Sequence, residues 1–293
     1  MKLIKLTFLI SLAVLGSCSY IPDNDYEVIE NKSFDFTEES KSEGLAFVSR
    51  MECPAPYGDE NSIILVKSDP DGVYGVNYAI EWDCDKRAQR WSAFQMYKGN
   101  SGGNVGRNEE WSEDLDIPYE YRSHFDDYTG SGYDRGHMVA SADRQVSVSM
   151  NAQTYLLSNM HPQIHAFNAG IWEKLEERIR AWNRDDFRDT LYVVKGGTID
   201  HFYDIKNYTS SGLIVPGHFF MAILCLKDET YRAIGFYLDH DGSIDANDNL
   251  QNYVKSIDEL EDLTGIDFFP NLNSADKISV EKQVTLSNWR WEE

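Results

Sequence analysis

The run Phe219-Phe220-Met221-Ala222-Ile223-Leu224-Cys225-Leu226 is apolar at every position. Successive side chains of a strand point to opposite faces, so a strand of this composition is buried on both sides and reads as the centre of a sheet. Shorter β-like runs surround it at residues 62–66, 74–82, 90–97, 191–194 and 231–238, and the central run itself extends over 215–226. Asp69-Pro70-Asp71-Gly72 marks a turn between the first two. Apolar residues at 171, 172, 175, 179 and 182 predict a helix over 171–182, and a second is expected over 256–263, closed by Gly265. Strands in hairpin-like groups with few helices between them indicate an α+β domain, a central, largely antiparallel sheet flanked by helices.

The two ends of the sheet region differ in kind. Lys2 and Lys5 open the chain, an apolar run from Leu6 to Leu15 follows, and Leu15-Gly16-Ser17-Cys18 closes the segment. That order is the n-region, h-region and small-residue site of a secretory leader, and the run is too short to cross a bilayer as a mature helix. Cys18 after the small residues resembles a lipobox, so residues 1–17 are expected to be a lipoprotein signal peptide and Cys18 the lipidated residue. Residues 18–44 carry Asp23, Asp25, Glu27, Glu30, Asp35, Glu38 and Glu39 and read as an acidic flexible tether. Residues 45–293 are then one large domain, tied to a bacterial envelope membrane through Cys18, with Ser19 favouring the outer membrane by family analogy. Of the remaining cysteines, Cys225 lies in the central strand. Cys53 and Cys84 flank polar segments and are expected to pair as a disulfide in an oxidising compartment.

Charge argues against one class of partner and motifs argue for it. The chain holds 27 Lys+Arg against 49 Asp+Glu, a net charge of −22, and loss of Lys2 and Lys5 with the leader takes it to −24. Nucleic-acid binders are usually read from a basic stripe. Net charge speaks to solubility and steering, however, while a site needs only local cations.

Arg135-Gly136-His137 places a guanidinium and an imidazole two positions apart, on one side of an extended segment. Asn168, Trp172, Glu176 and Arg180 follow at four-residue spacing, a stripe along one side of a helix. An amide oxygen, a carboxylate and an arginine offer hard oxygen ligands and a phosphate clamp, a set suited to magnesium. Histidine is suited to accept a proton from water near neutral pH. A zinc site on His161 and His165 is disfavoured, because Pro162 opposes a helix there and the glutamate of an HExxH pattern is missing.

The blocks also occur in a telling order. Asp134-Arg135-Gly136-His137-Met138, then Leu157-Ser158-Asn159-Met160-His161-Pro162-Gln163, then Asn168-Ala169-Gly170-Ile171-Trp172-Glu173-Lys174-Leu175-Glu176 closely resemble the DNA/RNA non-specific endonuclease family. These are sugar-non-specific nucleases of the ββα-metal (His-Me finger) group. The resemblance runs from about Trp82 to the C-terminus. It implies that His137 is the general base, that Asn168 is the direct protein ligand to magnesium (manganese being a substitute), and that Glu176 holds a water of the ion. It also implies that Arg135, Arg107 and Arg180 contact phosphate, in a hydrolysis of DNA and RNA that leaves 5′-phosphates. Asn159 is the next ligand candidate after Asn168. Because about 12 Å would separate Asn168 from Glu176 along an unbroken helix, Asn168 is expected just before the regular helix, with Gly170 as its start or kink.

Two departures stand out. Trp111 replaces a common phenylalanine near Arg107, and Met221 stands where the family usually has lysine. Two other readings share the sequence: a catalytically silent surface-binding lipoprotein on a nuclease fold, and a phosphodiesterase acting on small molecules or lipids.

Overall fold

A computed structural model of the protein describes residues 36–292 apart from 101 and 109. Helix α1 (Glu38–Phe47) leads into strands β1 (Ser62–Ser68), β2 (Val76–Asp83) and β3 (Ala88–Tyr97). A long segment holding α2 (Phe125–Tyr128) reaches β4 (Asp134–His137), α3 (Val148–Gln153) and β5 (Met160–Gln163). Next come α4 (His165–Phe167), α5 (Glu173–Trp182) and strands β6 (Thr190–Gly197), β7 (Ile205–Tyr208), β8 (Ile214–Pro216), β9 (His218–Lys227), β10 (Thr230–Asp239) and β11 (Val254–Lys255). Helices α6 (Ile257–Thr264) and α7 (Ser274–Glu281) close the chain.

The main sheet has seven strands in the order β1-β2-β3-β6-β9-β10-β11, and every neighbouring pair is antiparallel. The all-apolar run lies in β9, between β6 and β10. Its alternate residues divide between two cores. Phe219, Met221, Ile223 and Cys225 face Ile171, Trp172, Leu175, Ile179 and Trp182. Phe220, Ala222 and Leu224 face Ile257, Leu260, Phe47 and Phe268. The fold is therefore α+β as expected, a three-layer arrangement with α5 on one face and α1 and α6 on the other. The expected strand over 215–226 is in fact two, parted at Gly217, where the backbone N–H reaches the Asp204 carbonyl at 2.6 Å and a Cβ would overlap that carbonyl. Helix α6 forms as read, with a Ser256/Glu259 capping box and Gly265 left-handed at φ 71°.

Two expectations are corrected. The tether does not extend to residue 44, because residues 38–47 are helix α1. Thr37 caps it by accepting from the Ser40 N–H at 3.1 Å, and Gly44 and Phe47 are its buried residues. A Cβ on Gly44 would overlap the Ile64 carbonyl of β1, so only glycine permits this approach. Few apolar residues suffice to dock α1, which is why its composition resembles a solvated linker. The Cys53–Cys84 disulfide is also absent: both are buried free thiols. Cys84 packs in the core on the α5 face and Cys53 in the core on the other, so the sheet separates them. Burial pushes the Cys84 thiol up to about 12 and the Cys225 thiol up to about 11, leaving both protonated and inert. The leader, Cys18 and residues 19–35 of the proposed tether lie outside the described residues.

Candidate active site

Strands β4 and β5 form a separate two-stranded antiparallel ribbon with His137 opposite Met160 and Gly136 opposite His161. Gly136 is required for packing: a Cβ there would occupy the space of the Gln163 side chain. The ribbon ends with His137 at the edge of a cleft of about 250 Å³. Arg107, His137, Ser141, Asn168, Trp172, Glu176 and Arg180 are among its lining residues. One concavity thus gathers five of the six residues singled out in the sequence.

The local chain explains how Asn168 and Glu176 come together. Asn168–Trp172 is a π-helical turn, and Gly170 within it has non-helical dihedrals (φ −119°, ψ −112°). Regular α5 begins only at Glu173. Asn168 therefore sits before the kink, as the spacing required, and Glu176 one turn into α5. Asn168 donates its amide Nδ2 to Asp134 Oδ2 at 3.0 Å. No hydrogen bond among the described residues occupies its Oδ1, which leaves an oxygen donor for a cation. His165 shares the same Asp134 oxygen at 2.8 Å.

His137 is half-buried, with the rings of Trp111 and Tyr155 at 5.3 and 5.1 Å. Its carbonyl accepts from Trp172 Nε1 at 3.3 Å, tying β4 to the start of α5. Burial first, then the charges of Arg107 and Lys195, push its pKa down to about 3. The imidazole is neutral, and its Nε2 is a buried polar atom with no hydrogen-bond partner among the described residues. Arg107 donates from Nε to the Tyr155 hydroxyl at 2.9 Å.

Behind the cleft lies a buried ionic group. Glu176, whose side chain is 12% exposed, accepts from Lys195 Nζ at 3.0 Å, and Lys195 is fully buried. Lys195 also stands 3.7 Å from Asp143 Oδ2. Arg180 donates to Asp143 Oδ1 at 3.2 Å. Burial pushes the Glu176 carboxyl above its ordinary value, and Lys195 is the chief force pulling it back.

Several expected residues lie elsewhere. Arg135 does not line the cleft; its guanidinium packs between the rings of Trp111 at 5.3 Å and Tyr128 at 5.4 Å. It does share Trp111 with His137, as two residues on one side of a strand should. Asn159 is spent on structure. It accepts from Val139 N–H and donates to the carbonyls of Val139 and Thr154. His161 is buried against the Gln89 carbonyl at 3.1 Å while His165 is 80% exposed, so the two form no zinc pair. Met221 is buried in the core of the α5 face. Sequence reading missed Lys195, Asp143 and the role of Asp134. Lys195 had a signal, a lysine continuing the inward alternation of Leu191 and Val193. Asp143 had none, since a short connecting turn carries no period.

Residues 67–275 match the model of the DNA/RNA non-specific endonuclease family. A nuclease from a Nostoc species is 30% identical over 241 residues, covering 78% of this chain and 84% of its own. Nuclease C1 of Cunninghamella echinulata var. echinulata is 29% identical over 206 residues, covering 67% and 82%. For the mitochondrial nuclease EXOG of Xenopus laevis the identity is 30% over 209 residues; the match takes in 68% of this chain and only 58% of that relative. In a solved EndoG/EndoGI complex one chain is similar in fold, with TM-score 0.61 and 24% identity, over 72% of this chain and 88% of that one.

Proposed function

The chain belongs to the DNA/RNA non-specific endonuclease family, and on that premise we propose that it hydrolyses the phosphodiester bonds of DNA and RNA, with magnesium and with little sequence preference. The observation that carries this reading is the single cleft joining neutral His137, Asn168, Glu176, Arg107 and Arg180. The residues present fit the metal: no hydrogen bond among the described residues engages Asn168 Oδ1, the Glu176 carboxylate lines the same cleft, and both donors are hard oxygens, the chemistry of magnesium rather than zinc. Asn168 would hold the ion directly and Glu176 through water, with manganese as a substitute. Bound there, the cation would stabilise the charge that grows on the phosphate and on the departing oxygen.

The chain's own residues supply the rest. His137 accepts a proton from the attacking water as the new P–O bond forms, and the P–O3′ bond breaks to leave a 5′-phosphate and a 3′ oxygen that takes a proton from solvent water to become the hydroxyl. Arg107 and Arg180 contact the phosphate, whose backbone carries little sequence information. Arg135, held between two aromatic rings, supports Trp111 and through it the wall around His137. The leader pattern further supports a protein tied to the bacterial envelope by lipid on Cys18.

The test is incubation of the purified protein with plasmid DNA and with RNA in magnesium, with and without chelator, beside His137→Ala. Cleavage that requires both metal and His137 is expected. Intact nucleic acid under all conditions would refute the reading and return attention to a silent binding protein or to small phosphodiesters.

A further inference from the structure

Lys195 is a fully buried lysine in the middle of a seven-stranded sheet. Burying an ammonium is costly unless it is paired, and buried pairs are weak evidence for stability, so its retention calls for another account. Its Nζ meets Glu176 Oε1 at 3.0 Å and Asp143 Oδ2 at 3.7 Å. Described hydrogen bonds engage only Oε1 of Glu176, leaving its other oxygen for the cleft that Glu176 lines. Asp143 in turn holds Arg180, which lines the same cleft. One ammonium therefore organises two cleft residues from behind.

The register adds a second observation. Lys195 of β6 lies directly opposite Met221 of β9, the position where the family pattern leads one to expect lysine. Directly opposed residues in an antiparallel pair point to the same face with Cβ atoms about 4.5–5.5 Å apart. A long side chain from either position reaches the same space beneath α5. We infer that Lys195 is a positioning residue of this site, which aims the Glu176 carboxylate into the cleft and supplies from the neighbouring strand the cation absent at 221. The inference rests on the nuclease reading above.

Lys195→Met is close in length and apolar, so it suits the buried site. Its kcat should fall by about 10–100-fold, the usual effect of losing a partner behind a metal-site residue. Its magnesium binding, read by calorimetry, should not weaken, because the lysine is no ligand and its loss removes a nearby positive charge. Lys195→Met/Glu176→Gln should be no slower than Glu176→Gln alone, since the lysine acts through the carboxylate. Lys195→Met/Met221→Lys, which returns the cation across the strand pair, should recover most of the loss.

Additive losses in the Lys195/Glu176 pair, an unchanged kcat in Lys195→Met, or a folded but unrescued exchange variant would each overturn the inference. If Lys195→Met does not fold, as judged by its thermal transition, the exchange variant alone decides by the same criterion. Wild-type protein that leaves DNA and RNA intact fails the nuclease reading itself. Active wild type with an insensitive Lys195 fails only the positioning role.

Discussion

A histidine read from sequence is expected to titrate near neutrality, and His137 does not. Burial and the neighbouring cations push it from 6.5 down to about 3, so it is already neutral at pH 5. The rate between pH 5 and 8 should accordingly show no rise attributable to this group; a sigmoid of about tenfold per unit with a midpoint near 6.5 would show a solvated imidazole instead. Removing it (His137→Ala) should cost about 10²–10⁴-fold in kcat while magnesium binding and the melting transition persist. Asn168 yields a different signature. Asn168→Ala, and Asp134→Ala, which frees the Asn168 amide now held at 3.0 Å, should both raise the magnesium concentration needed for half-maximal rate. Excess metal should restore part of the activity. An unaltered magnesium dependence in both variants would remove Asn168 from the metal, and Asn159, with its amide fully engaged by backbone, does not replace it.

Among the elements, α5 carries the most of the site and is held by the clearest pattern. Leu175, Ile179 and Trp182 are fully buried on one side, each contributing on the order of 1.5–3 kcal/mol by leaving water. Glu176 and Arg180 project to the cleft from the same helix, so the apolar stripe that stabilises the fold also sets the site. Ile179→Ala should destabilise by about 2–5 kcal/mol in urea unfolding, the range for buried isoleucine truncation. A loss below ~1 kcal/mol would mean the helix is loosely docked. The period of α5 was legible because it buries one repeating face, whereas β2, β3, β6 and β10, buried largely on both sides, were legible as β-branched and aromatic runs bounded by turn signals. The β4–β5 ribbon that carries His137 was not. Its four-residue strands hold Arg135, Gly136 and Pro162, with no hydrophobic period to read, and only the order of motif blocks pointed to it.

For the molecule as a whole, charge and pH behaviour follow from where the ionisable groups lie. A chain of −22 whose proposed phosphate contacts are Arg107 and Arg180 should bind duplex DNA with a shallow salt dependence, about −0.9 in log–log slope per phosphate neutralised. Titrating salt against the binding constant of His137→Ala measures it, and a slope as steep as about −10 would contradict a small cationic site. Stability should fall only slowly from pH 6.5 to 4.5. Burial pushes His137 and His161 down to about 3 and His240 to about 4. Below 6.5 the unfolded chain therefore takes up protons that the folded chain refuses, and stability falls with pH. Burial pushes Glu261 and Glu281 up to about 7, so over 7 to 4.5 the folded chain takes up protons first and stability rises as pH falls. Below 4.5 the histidine effect continues, joined by aspartates such as Asp69 and Asp200 that hydrogen bonds hold below the ordinary carboxylate range, and stability drops. In Glu261→Gln/Glu281→Gln the urea midpoint should fall more steeply than that of the wild type below about pH 6.5; a midpoint that tracks the wild type would place the opposing carboxyls elsewhere.

What the sequence determined by itself was whatever repeats or recurs in order: a doubly buried strand, strands enough for an antiparallel sheet, the amphipathic α5, and linked motif blocks around His137 and Asn168. These are local in origin, since burial of one face imposes a period on neighbouring residues. Tertiary structure alone decided what depends on register and on which face a residue occupies. It put Cys53 and Cys84 in cores on opposite sides of the sheet, set Arg135 between Trp111 and Tyr128 instead of in the cleft, and docked α1 through Gly44 on the Ile64 carbonyl. It also brought Lys195, opposite Met221, beneath Glu176, a meeting of residues on two strands and a helix that no spacing along one chain encodes.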